Sequence, residues 1–401
     1  MTVDDYSPIR PDVFDDPFPA LAELRDQCPV HRTEALGRPM YTVARATDVH
    51  DILLDHRTWS NARGPGVADS TNGTGDLQHD DQPVHTRRRK LIRDWFNPAA
   101  VATLEPGLRA TTVEAIDAFR VDGGVGRADL YGDLALPLPV ASFCELMGVE
   151  LTDRDQFLHW ADELVTAMAY PERGADARRA MTAFTEAEIA ERRRLAAAGE
   201  ELPAGLLSFV ATEPYADDGE PMPLREAVNM SNQLLIAGHE TSASLITNAM
   251  WRLLEDRPNR WEVILDDESL IPAAIEESLR FDPPVLGICR TNNDPTTIAD
   301  VDIPAESKVQ VNYASANRDP ERFERPDEFR LDRDPVAAAK HYAFSWGIHH
   351  CLGAHLARLT GRVVLEELRA RVPTVRLAGD PTRVPSPFLW GRKTLPVEFD
   401  A

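Results

Sequence analysis

The chain has 401 residues and a formal net charge of −23 at pH 7, from 43 Lys and Arg against 66 Asp and Glu. This balance argues against nucleic acid as the main partner, because phosphate binding needs a basic face. Hydrophobic residues make up 43% of the chain, which supports an ordinary globular core. The four cysteines form no Cys-x-x-Cys pair, so neither a zinc site nor a disulfide framework is predicted.

The first six residues are acidic and polar, which is typical neither of a signal peptide nor of a membrane anchor. No uninterrupted apolar run approaches the roughly 20 residues that a helix needs to span a bilayer. We therefore expect a soluble, cytoplasmic protein. The length suits either two lobes or one large domain, since single cores rarely grow beyond about 250–300 residues.

The N-terminal part of the chain alternates short elements with one long loop. Hydrophobic patterning predicts a helix over 19–27, a strand over 40–43 and a helix over 47–54. Residues 61–83 are instead rich in glycine, aspartate, threonine and asparagine. Loops beyond about 12 residues in compact domains are often lids or binding loops. A functional loop and a solvated surface excursion fit this composition equally well.

A basic helix is predicted over 85–96, where Asn97-Pro98 ends it. The i,i+4 spacing places His85 and Arg89 on one face, and two cations there suit an anionic group. This helix also carries the densest basic cluster of the acidic chain: Arg87, Arg88, Lys90 and Arg93. The cluster is either a solvated helical face or a docking patch that steers an acidic partner.

Residues 98–194 have apolar residues at helical spacing and few strand signals, so they predict almost continuous helix. Within them, Leu164, Met168 and Tyr170 fit a core better than a pocket, because such residues at helical spacing usually pack inside. The composition of 199–223, rich in Pro, Gly, Asp and Glu, predicts a linker.

A long helix is predicted over 224–255, about 48 Å at ~1.5 Å per residue. Gly238 costs about 1 kcal/mol there relative to alanine, and the acid Glu240 and the alcohol Thr241 follow it. A glycine and a threonine in mid-helix allow a local widening of the hydrogen-bond ladder. Most isolated matches of this kind are ordinary polar breaks in a helix.

The C-terminal half changes from helix to short strands. Glu277 and Arg280 have the i,i+3 spacing of a helical ion pair, which is a weak signal by itself. Strands are predicted at 285–288, 297–298 and 308–312, and a last hairpin is predicted from 387–390 and 395–397.

Residues 344–353 form an irregular loop that brings Cys351 to the start of a helix predicted over 354–372. A helix N-terminus favours thiolate over thiol, because its unpaired N–H groups and dipole attract negative charge. Gly347 can adopt a positive φ for a tight turn, and Gly353 leaves room for a flat group beside the backbone. A lone cysteine is more often a buried structural residue.

Five fixed positions in this loop resemble the haem-binding signature of the cytochrome P450 family: Phe344, Gly347, His349, Cys351 and Gly353. The resemblance implies that Cys351 is the thiolate ligand of the iron in haem b, a ligand that favours O–O cleavage. It also implies a mainly α, helix-rich triangular fold with a small β-rich region. We expect a single catalytic domain over 1–401, with no fused reductase or ferredoxin domain.

The segment from Ala237 to Thr241 is similar to the oxygen-activation motif of this family. By that resemblance, the Thr241 hydroxyl holds water near the reacting dioxygen and Glu240 carries protons inward from solvent. Such a relay is needed because the reaction consumes two protons in a pocket that otherwise stays dry.

Other family positions also have counterparts, in the expected order. The resemblance makes His85, Arg89, Arg290 and His349 haem-propionate contacts, and it places Gly238, Phe344 and Gly353 at the haem. Glu277 and Arg280 match a structural pair behind the haem. Family members usually complete that pair with an arginine in the segment equivalent to 326–329, where this chain has Glu328. Arg330 and Arg333 are both candidates for the third member.

The function implied by the resemblance is a haem-thiolate monooxygenase that hydroxylates or epoxidises a small lipophilic substrate. Soluble bacterial members receive electrons from a ferredoxin and a ferredoxin reductase that draws on NAD(P)H, and the basic helix is the expected docking face. The same fold in peroxide-driven or non-oxygenating chemistry is the alternative, although Glu240 and Thr241 argue against it. A haem-binding protein without enzymatic activity is a third possibility.

The substrate pocket is expected to be mostly apolar, which suits a terpenoid, steroid, fatty acid or polyketide-type molecule. Its apolar lining does not distinguish these four classes of substrate. The expected lining residues are Val67, Leu235, Ala237, Val285, Leu286, Ile288, Phe388 and Leu389.

Overall fold

The computed structural model describes residues 6–69, 76–150, 154–166, 174–215, 219–255 and 260–401. The chain divides into two units, and each unit is assembled from three separate stretches. The first comprises Met1–Thr71, Ser244–Ala354 and Arg376–Pro396. The second comprises Asn72–Ala243, His355–Val375 and Val397–Ala401.

Helices outnumber strands in the described residues. The α-helices are α1 (Pro11–Asp15), α2 (Phe18–Gln27), α3 (Ala46–Leu54), α4 (Val84–Ile92), α5 (Pro98–Ala102), α6 (Glu105–Asp117), α7 (Pro137–Met147), α8 (Arg154–Thr166), α9 (Ala175–Ala198), α10 (Leu206–Thr212), α11 (Leu224–Leu254), α12 (Arg260–Asp266), α13 (Ile271–Phe281), α14 (Tyr313–Ala316), α15 (Pro335–Ala338) and α16 (Ala354–Arg371). In the described ranges, none of these helices is both long and apolar enough to cross a membrane.

The strands are short. They are β1 (Val30–Ala35), β2 (Arg38–Val43), β3 (Trp59–Ser60), β4 (Arg120–Asp122), β5 (Val125–Asp129), β6 (Gly287–Asn292), β7 (Thr296–Ile298), β8 (Val301–Ile303), β9 (Lys308–Asn312), β10 (Arg376–Leu377) and β11 (Pro396–Asp400).

The first unit is built around a five-stranded sheet with the order β1-β2-β9-β6-β3. Strands β2 and β9 are parallel, with Met40 opposite Lys308, and the other neighbours are antiparallel. Helix α3 packs Val49 and Ile52 into the same apolar cluster as Val311 of β9. The sheet therefore supports β6, which carries Arg290.

The second unit is mainly helical, with one β-hairpin. Strands β4 and β5 pair antiparallel around Gly123 and Gly124, which both have positive φ values of 59° and 81°. Two glycines suit such a two-residue turn, because both central positions need left-handed backbone. Gly126 of β5 packs against the ring of Phe399, where a Cβ would collide.

Several predicted elements are confirmed with small shifts at their ends. The long helix α11 begins at Leu224, and α16 begins at Ala354 as expected. The basic helix continues past α4 as a 3₁₀ turn, Arg93–Phe96, before Asn97 caps α5.

Three sequence predictions are wrong. Residues 98–194 are not almost continuous helix, because they contain the β4–β5 hairpin. The expected linker over 199–223 contains α10, whose apolar side chains are buried. The last hairpin does not form from 387–390 and 395–397. Instead, Arg383 bridges Arg392, and the final strand β11 begins only at Pro396. Of the expected core residues, Leu164 is buried, whereas Met168 and Tyr170 lie outside the described residues.

Candidate active site

The loop before α16 has the tight geometry that its sequence predicts. The Cys351 N–H donates to the Phe344 carbonyl oxygen at 2.8 Å, which closes the loop. Gly347 has a φ of 73°, and a Cβ there would collide with the Leu53 carbonyl oxygen. This position requires glycine for both reasons. Phe344 is buried beneath the loop at 7% exposure.

Cys351 is exposed and lies three residues before the first residue of α16. A Cβ on Gly353 would meet no atom within 4 Å, so there is space beside this part of the loop. Cys144 and Cys289 differ, because burial raises the pKa of their thiols to about 12 and about 11. The interpretation of Cys351 as a buried structural cysteine is therefore wrong. An exposed thiol with open space beside it fits the thiolate ligand of a haem.

Arg290 lies in β6 and is 3% exposed. Its guanidinium donates to the Cys289 carbonyl oxygen at 3.1 Å and lies near Tyr313. Burial raises the pKa of Tyr313, although the charge of Arg290 opposes this shift. The Tyr313 hydroxyl in turn donates to Ser345 Oγ at 3.2 Å. Tyr313 therefore connects the predicted propionate ligand Arg290 to the cysteine loop, a role that the sequence did not indicate. His349 is half-buried in the 3₁₀ turn of the same loop.

Glu277 and Arg280 of α13 form a fully buried ion pair with two parallel hydrogen bonds of 2.8 and 2.7 Å. Arg333 Nε donates to Glu277 Oε2 at 3.0 Å, so Arg333 is the third member of this cluster. Arg330 contributes only its backbone N–H to Glu277, at 2.9 Å, because its side chain pairs with Asp332 instead. Arg333, and not Arg330, therefore completes the cluster with its side chain.

Arg280 also holds the segment that follows β9. Its guanidinium donates to three carbonyl oxygens at 2.8 to 2.9 Å: those of Asn317, Pro326 and Glu328. Every donor direction of this buried cation is therefore used, which is the condition under which a buried charge is tolerated.

In the second unit, helix α4 holds the two predicted propionate ligands. His85 is 2% exposed, and Arg89 is half-buried one turn later on the same face. Arg87, Lys90 and Arg93 are exposed, and the Arg87 guanidinium lies 4.5 Å from the ring centroid of Tyr215.

The expected docking patch is wrong in one residue, Arg88. Its side chain is 5% exposed and forms ion pairs with Asp80 and, at 2.6 Å, with Glu226 of α11. Arg88 therefore connects the segment before α4 to the long helix. Helical spacing shows which residues share a face, but it does not show which face a neighbouring segment covers.

Helix α11 is continuous through the Gly238 to Thr241 motif. The Thr241 hydroxyl donates to the Ala237 carbonyl oxygen at 2.7 Å, one turn earlier. Ala237 and Gly238 are exposed, and a Cβ on Gly238 would meet no side chain within 4 Å. This face of α11 can therefore accept a flat group beside it.

Glu240 lies on a different face of α11 and is 2% exposed. Its Oε2 accepts a hydrogen bond from the Tyr131 hydroxyl at 2.8 Å. Burial, and then the charge of Glu240, raise the pKa of Tyr131 well above its usual range. Sequence analysis missed Tyr131, because it lies in a stretch that was predicted to be ordinary helix.

Comparison with known proteins identifies the family. A cytochrome P450 family model matches residues 265–368. The cytochrome P450 monooxygenase PikC of Streptomyces venezuelae is 34% identical, over 98% of this chain and 94% of its own length. The erythromycin C-12 hydroxylase of Saccharopolyspora erythraea is 35% identical, over 94% of this chain and 93% of its own length.

This chain belongs to the cytochrome P450 family. The structure of cytochrome P450 CYP109Q5 from Chondromyces apiculatus has a TM-score of 0.86 to this P450 at 32% identity, covering 100% of this chain and 99% of the other. The predicted family, the helix-rich P450 fold and a P450-type oxidoreductase activity are thereby confirmed. Membership in the family implies a haem cofactor.

Two of the predicted pocket residues of this P450 pack into apolar clusters of a core. Leu235 of α11 lies with Val140 and Phe157, on the face away from Ala237. Leu286 lies with Leu21 in a cluster of the first unit. Their place in the substrate pocket stays a prediction.

Other predicted lining residues lie in the first unit. Val285 and Ile288 are half-buried at the edge of the core of the first unit. Val285 bridges Leu389, and the Leu286 N–H donates to the Phe388 carbonyl oxygen at 2.8 Å. Phe388 and Val67 are buried together in one small apolar cluster of the same unit.

The long loop of this P450 is fixed at its start. Lys308 is fully buried, and its Nζ donates to the carbonyl oxygens of Arg63 and Gly64 at 2.8 and 2.9 Å. The Cys289 N–H donates to the Pro65 carbonyl oxygen at 2.7 Å. Residues 61–65 are therefore held on the sheet, whereas residues 70–75 lie outside the described part of the chain.

Proposed function

We propose that this P450 is a monooxygenase that uses dioxygen and two externally supplied electrons to hydroxylate or epoxidise a small lipophilic substrate. The observation that carries the proposal is the exposed Cys351 before α16, with the space beside Gly353. We also propose that the whole chain, residues 1–401, acts as a single catalytic domain.

In this proposal, Cys351 would be the thiolate ligand of a haem b cofactor, and His85, Arg89, Arg290 and His349 would contact its propionates. Propionates are carboxylates, and arginine binds carboxylates in charge-assisted pairs. Phe344, Gly353 and Gly238 would contact the macrocycle. When bound, the haem supplies an iron that binds dioxygen, and the thiolate ligand favours O–O cleavage.

Thr241 and Glu240 are proposed to deliver protons. The Thr241 hydroxyl donates to the Ala237 carbonyl oxygen, so its own oxygen is left to accept a hydrogen bond from water. Glu240 is buried, and it can take up and release protons at a carboxylate oxygen. Peroxide-driven chemistry does not need such a relay.

Electrons are proposed to come from a ferredoxin and a ferredoxin reductase that draws on NAD(P)H. The exposed cations Arg87, Lys90 and Arg93 on α4 and the 3₁₀ turn after it support an acidic partner protein. Arg88 is not part of this surface.

The substrate is proposed to be lipophilic, because Val285, Ile288 and Ala237 offer apolar surface that is not fully buried. The name of the Saccharopolyspora erythraea relative gives erythromycin as its substrate, and a molecule of the polyketide type is therefore the first class to test. A ligand panel scored by the low- to high-spin shift of the Soret band would rank this class against terpenoids, steroids and fatty acids.

The reduced carbon monoxide difference spectrum tests whether the Cys351 thiolate is the ligand of the haem iron. We expect a band near ~450 nm for thiolate ligation, and a band near ~420 nm in intact protein would overturn the assignment of Cys351. Product formed with a ferredoxin system, carrying one oxygen atom from ¹⁸O₂, supports the monooxygenase. Product formed only with added hydrogen peroxide would support the peroxide-driven alternative instead.

The variant Thr241→Ala tests the relay, with Thr241→Ser as its matched control. We expect Thr241→Ala to release more peroxide per NADH consumed, whereas the serine retains the hydroxyl and most of the coupling. Unchanged coupling in Thr241→Ala with a native substrate would remove Thr241 from the mechanism.

A further inference from the structure

Tyr131 is held in a short π-helix, Leu130–Ala135, that follows strand β5. Its N–H donates to Asp129 Oδ1 at 3.2 Å, and its carbonyl oxygen accepts from the Leu136 N–H at 2.9 Å. The ring is 4% exposed. With the backbone fixed on both sides and the ring enclosed, the hydroxyl has little freedom to move. Single π-helical turns occur often at functional sites.

The hydroxyl of Tyr131 donates to Glu240 Oε2 at 2.8 Å, and both side chains are buried. A hydrogen bond from a phenol to a carboxylate is charge-assisted, so it is stronger than one between neutral groups. In a poorly solvated site, such a bond fixes the rotation of the carboxylate about its last torsion.

We propose that Tyr131 is a positioning residue for proton delivery, which holds the Glu240 carboxylate in one orientation through its hydrogen bond to Oε2. This inference rests on the proposed function of Glu240. The proton of Tyr131 stays on its own oxygen throughout, so each proton that arrives at the Glu240 carboxylate also leaves from it.

The surroundings of Tyr131 keep it a donor. Burial is the largest cause of the raised pKa of the phenol, and the charges of Glu240, Asp162 and Asp129 raise it further. The phenol is therefore neutral across the working pH range and remains a donor to Glu240. A donor to the charged form favours that form, so loss of the hydroxyl makes Glu240 easier to protonate.

The experiment compares Tyr131→Phe with the wild type in the haem-loaded enzyme with its redox partners. We expect the acid limb of the pH profile of coupling, measured as product per NADPH, to move upward by about one pH unit. The matched control is Tyr6→Phe, which removes another buried phenol, one that is hydrogen-bonded to Thr42. This control should leave the profile in place.

A second variant keeps the inference testable if Tyr131→Phe does not fold. Replacing Tyr131 by 3-fluorotyrosine keeps the ring and hydroxyl but makes the phenol a stronger donor. The acid limb should then move downward, opposite to the phenylalanine variant. A readout without turnover is the infrared carboxylate band of Glu240, assigned by its loss in Glu240→Gln, which should shift in both Tyr131 variants.

The double variant separates this inference from the proposed function. If Tyr131 acts through Glu240, Tyr131→Phe should change nothing further in a Glu240→Gln background. Additive effects, or an unmoved acid limb while Glu240→Gln still uncouples the enzyme, would overturn the role of Tyr131 alone. Full coupling in Glu240→Gln would overturn the proposed relay, and with it the role of Tyr131.

Discussion

Arg333 donates from Nε to Glu277 Oε2 at 3.0 Å, across 56 residues of sequence and with both side chains almost fully buried. The same carboxylate already pairs with Arg280. Two guanidinium groups thus share one buried acid, and each donates to it directly.

Arg333→Ala should destabilise the fold by about 1.5–3 kcal/mol, the usual cost of a lost hydrogen bond to a charged group, because Glu277 keeps its pair with Arg280. Arg330→Ala is the matched control, because the Arg330 side chain pairs with the exposed Asp332 and its backbone N–H remains. It should leave the urea midpoint close to that of the wild type, because exposed ion pairs contribute little. Urea denaturation measures both, and equal losses would contradict the assignment of Arg333.

Arg88 and its neighbour Arg87 should behave differently. Arg88→Met removes the partner of the buried Asp80 and of Glu226, so we expect a loss of about 3 kcal/mol in the free energy of unfolding. Arg87→Met loses only an exposed contact with Tyr215, worth less than about 1 kcal/mol. Urea denaturation midpoints measure both losses. An effect of Arg88→Met as small as that of Arg87→Met would show that the connection to α11 contributes little to stability.

Charge reversal on the exposed basic surface should weaken the encounter with ferredoxin. Lys90→Glu with Arg93→Glu should raise the KM for ferredoxin about tenfold, with kcat nearly unchanged, because steering acts on association. The effect should shrink at 0.5 M salt, where screening is strong. Arg120→Glu, also exposed in the second unit, is the control. Equal effects of both changes would indicate net charge rather than a docking surface.

Asp282 should contribute stability that is lost in acid. It is fully buried. Burial alone would raise its pKa, but the charges of Arg252 and Arg318 outweigh this and hold the pKa below the ordinary 3.8. Because the folded-state pKa is the lower one, the stabilisation is complete above pH 3.8 and is lost as the pH falls through the folded value.

Asp282→Asn should thus be less stable than the wild type at pH 7, and the gap should narrow below about pH 4. Urea midpoints between pH 6 and pH 3 measure this gap. A gap that stays constant with pH would show that Asp282 is not the titrating group.

Sequence alone predicted the parts of the site that depend on local chemistry. The cysteine loop is one example. Gly347 is needed for a tight turn and Cys351 lies just before the start of a helix, so both features depend only on neighbouring residues. The partner of Glu277 could not be chosen, since Arg330 and Arg333 differ only in which backbone and side-chain atoms face inward. The hydrogen bond between Tyr131 and Glu240 spans 109 residues, and no local pattern encodes it.

The β4–β5 hairpin is a different kind of error. The sequence does contain the signal for a hairpin, because Gly123-Gly124 after Asp122 is a typical two-residue hairpin turn. It was outweighed by the helical periodicity of the surrounding residues. Tertiary packing of Gly126 on Phe399 then fixes a strand that local propensity alone leaves open.

The parallel pairing of β2 with β9 has a consequence for synthesis. Thr42 and Gln310, which contact each other in this pair, are separated by 268 residues. At about 5–20 residues per second, a ribosome needs on the order of 13 to 54 s to add that length. During that time the nascent β1–β2 hairpin has no β9 to cover its edge, although Met40 and Val43 are fully buried in the finished protein. The sheet of the first unit is therefore completed only after β9 has been synthesised, and the edge of β2 that pairs with β9 stays unpaired until then.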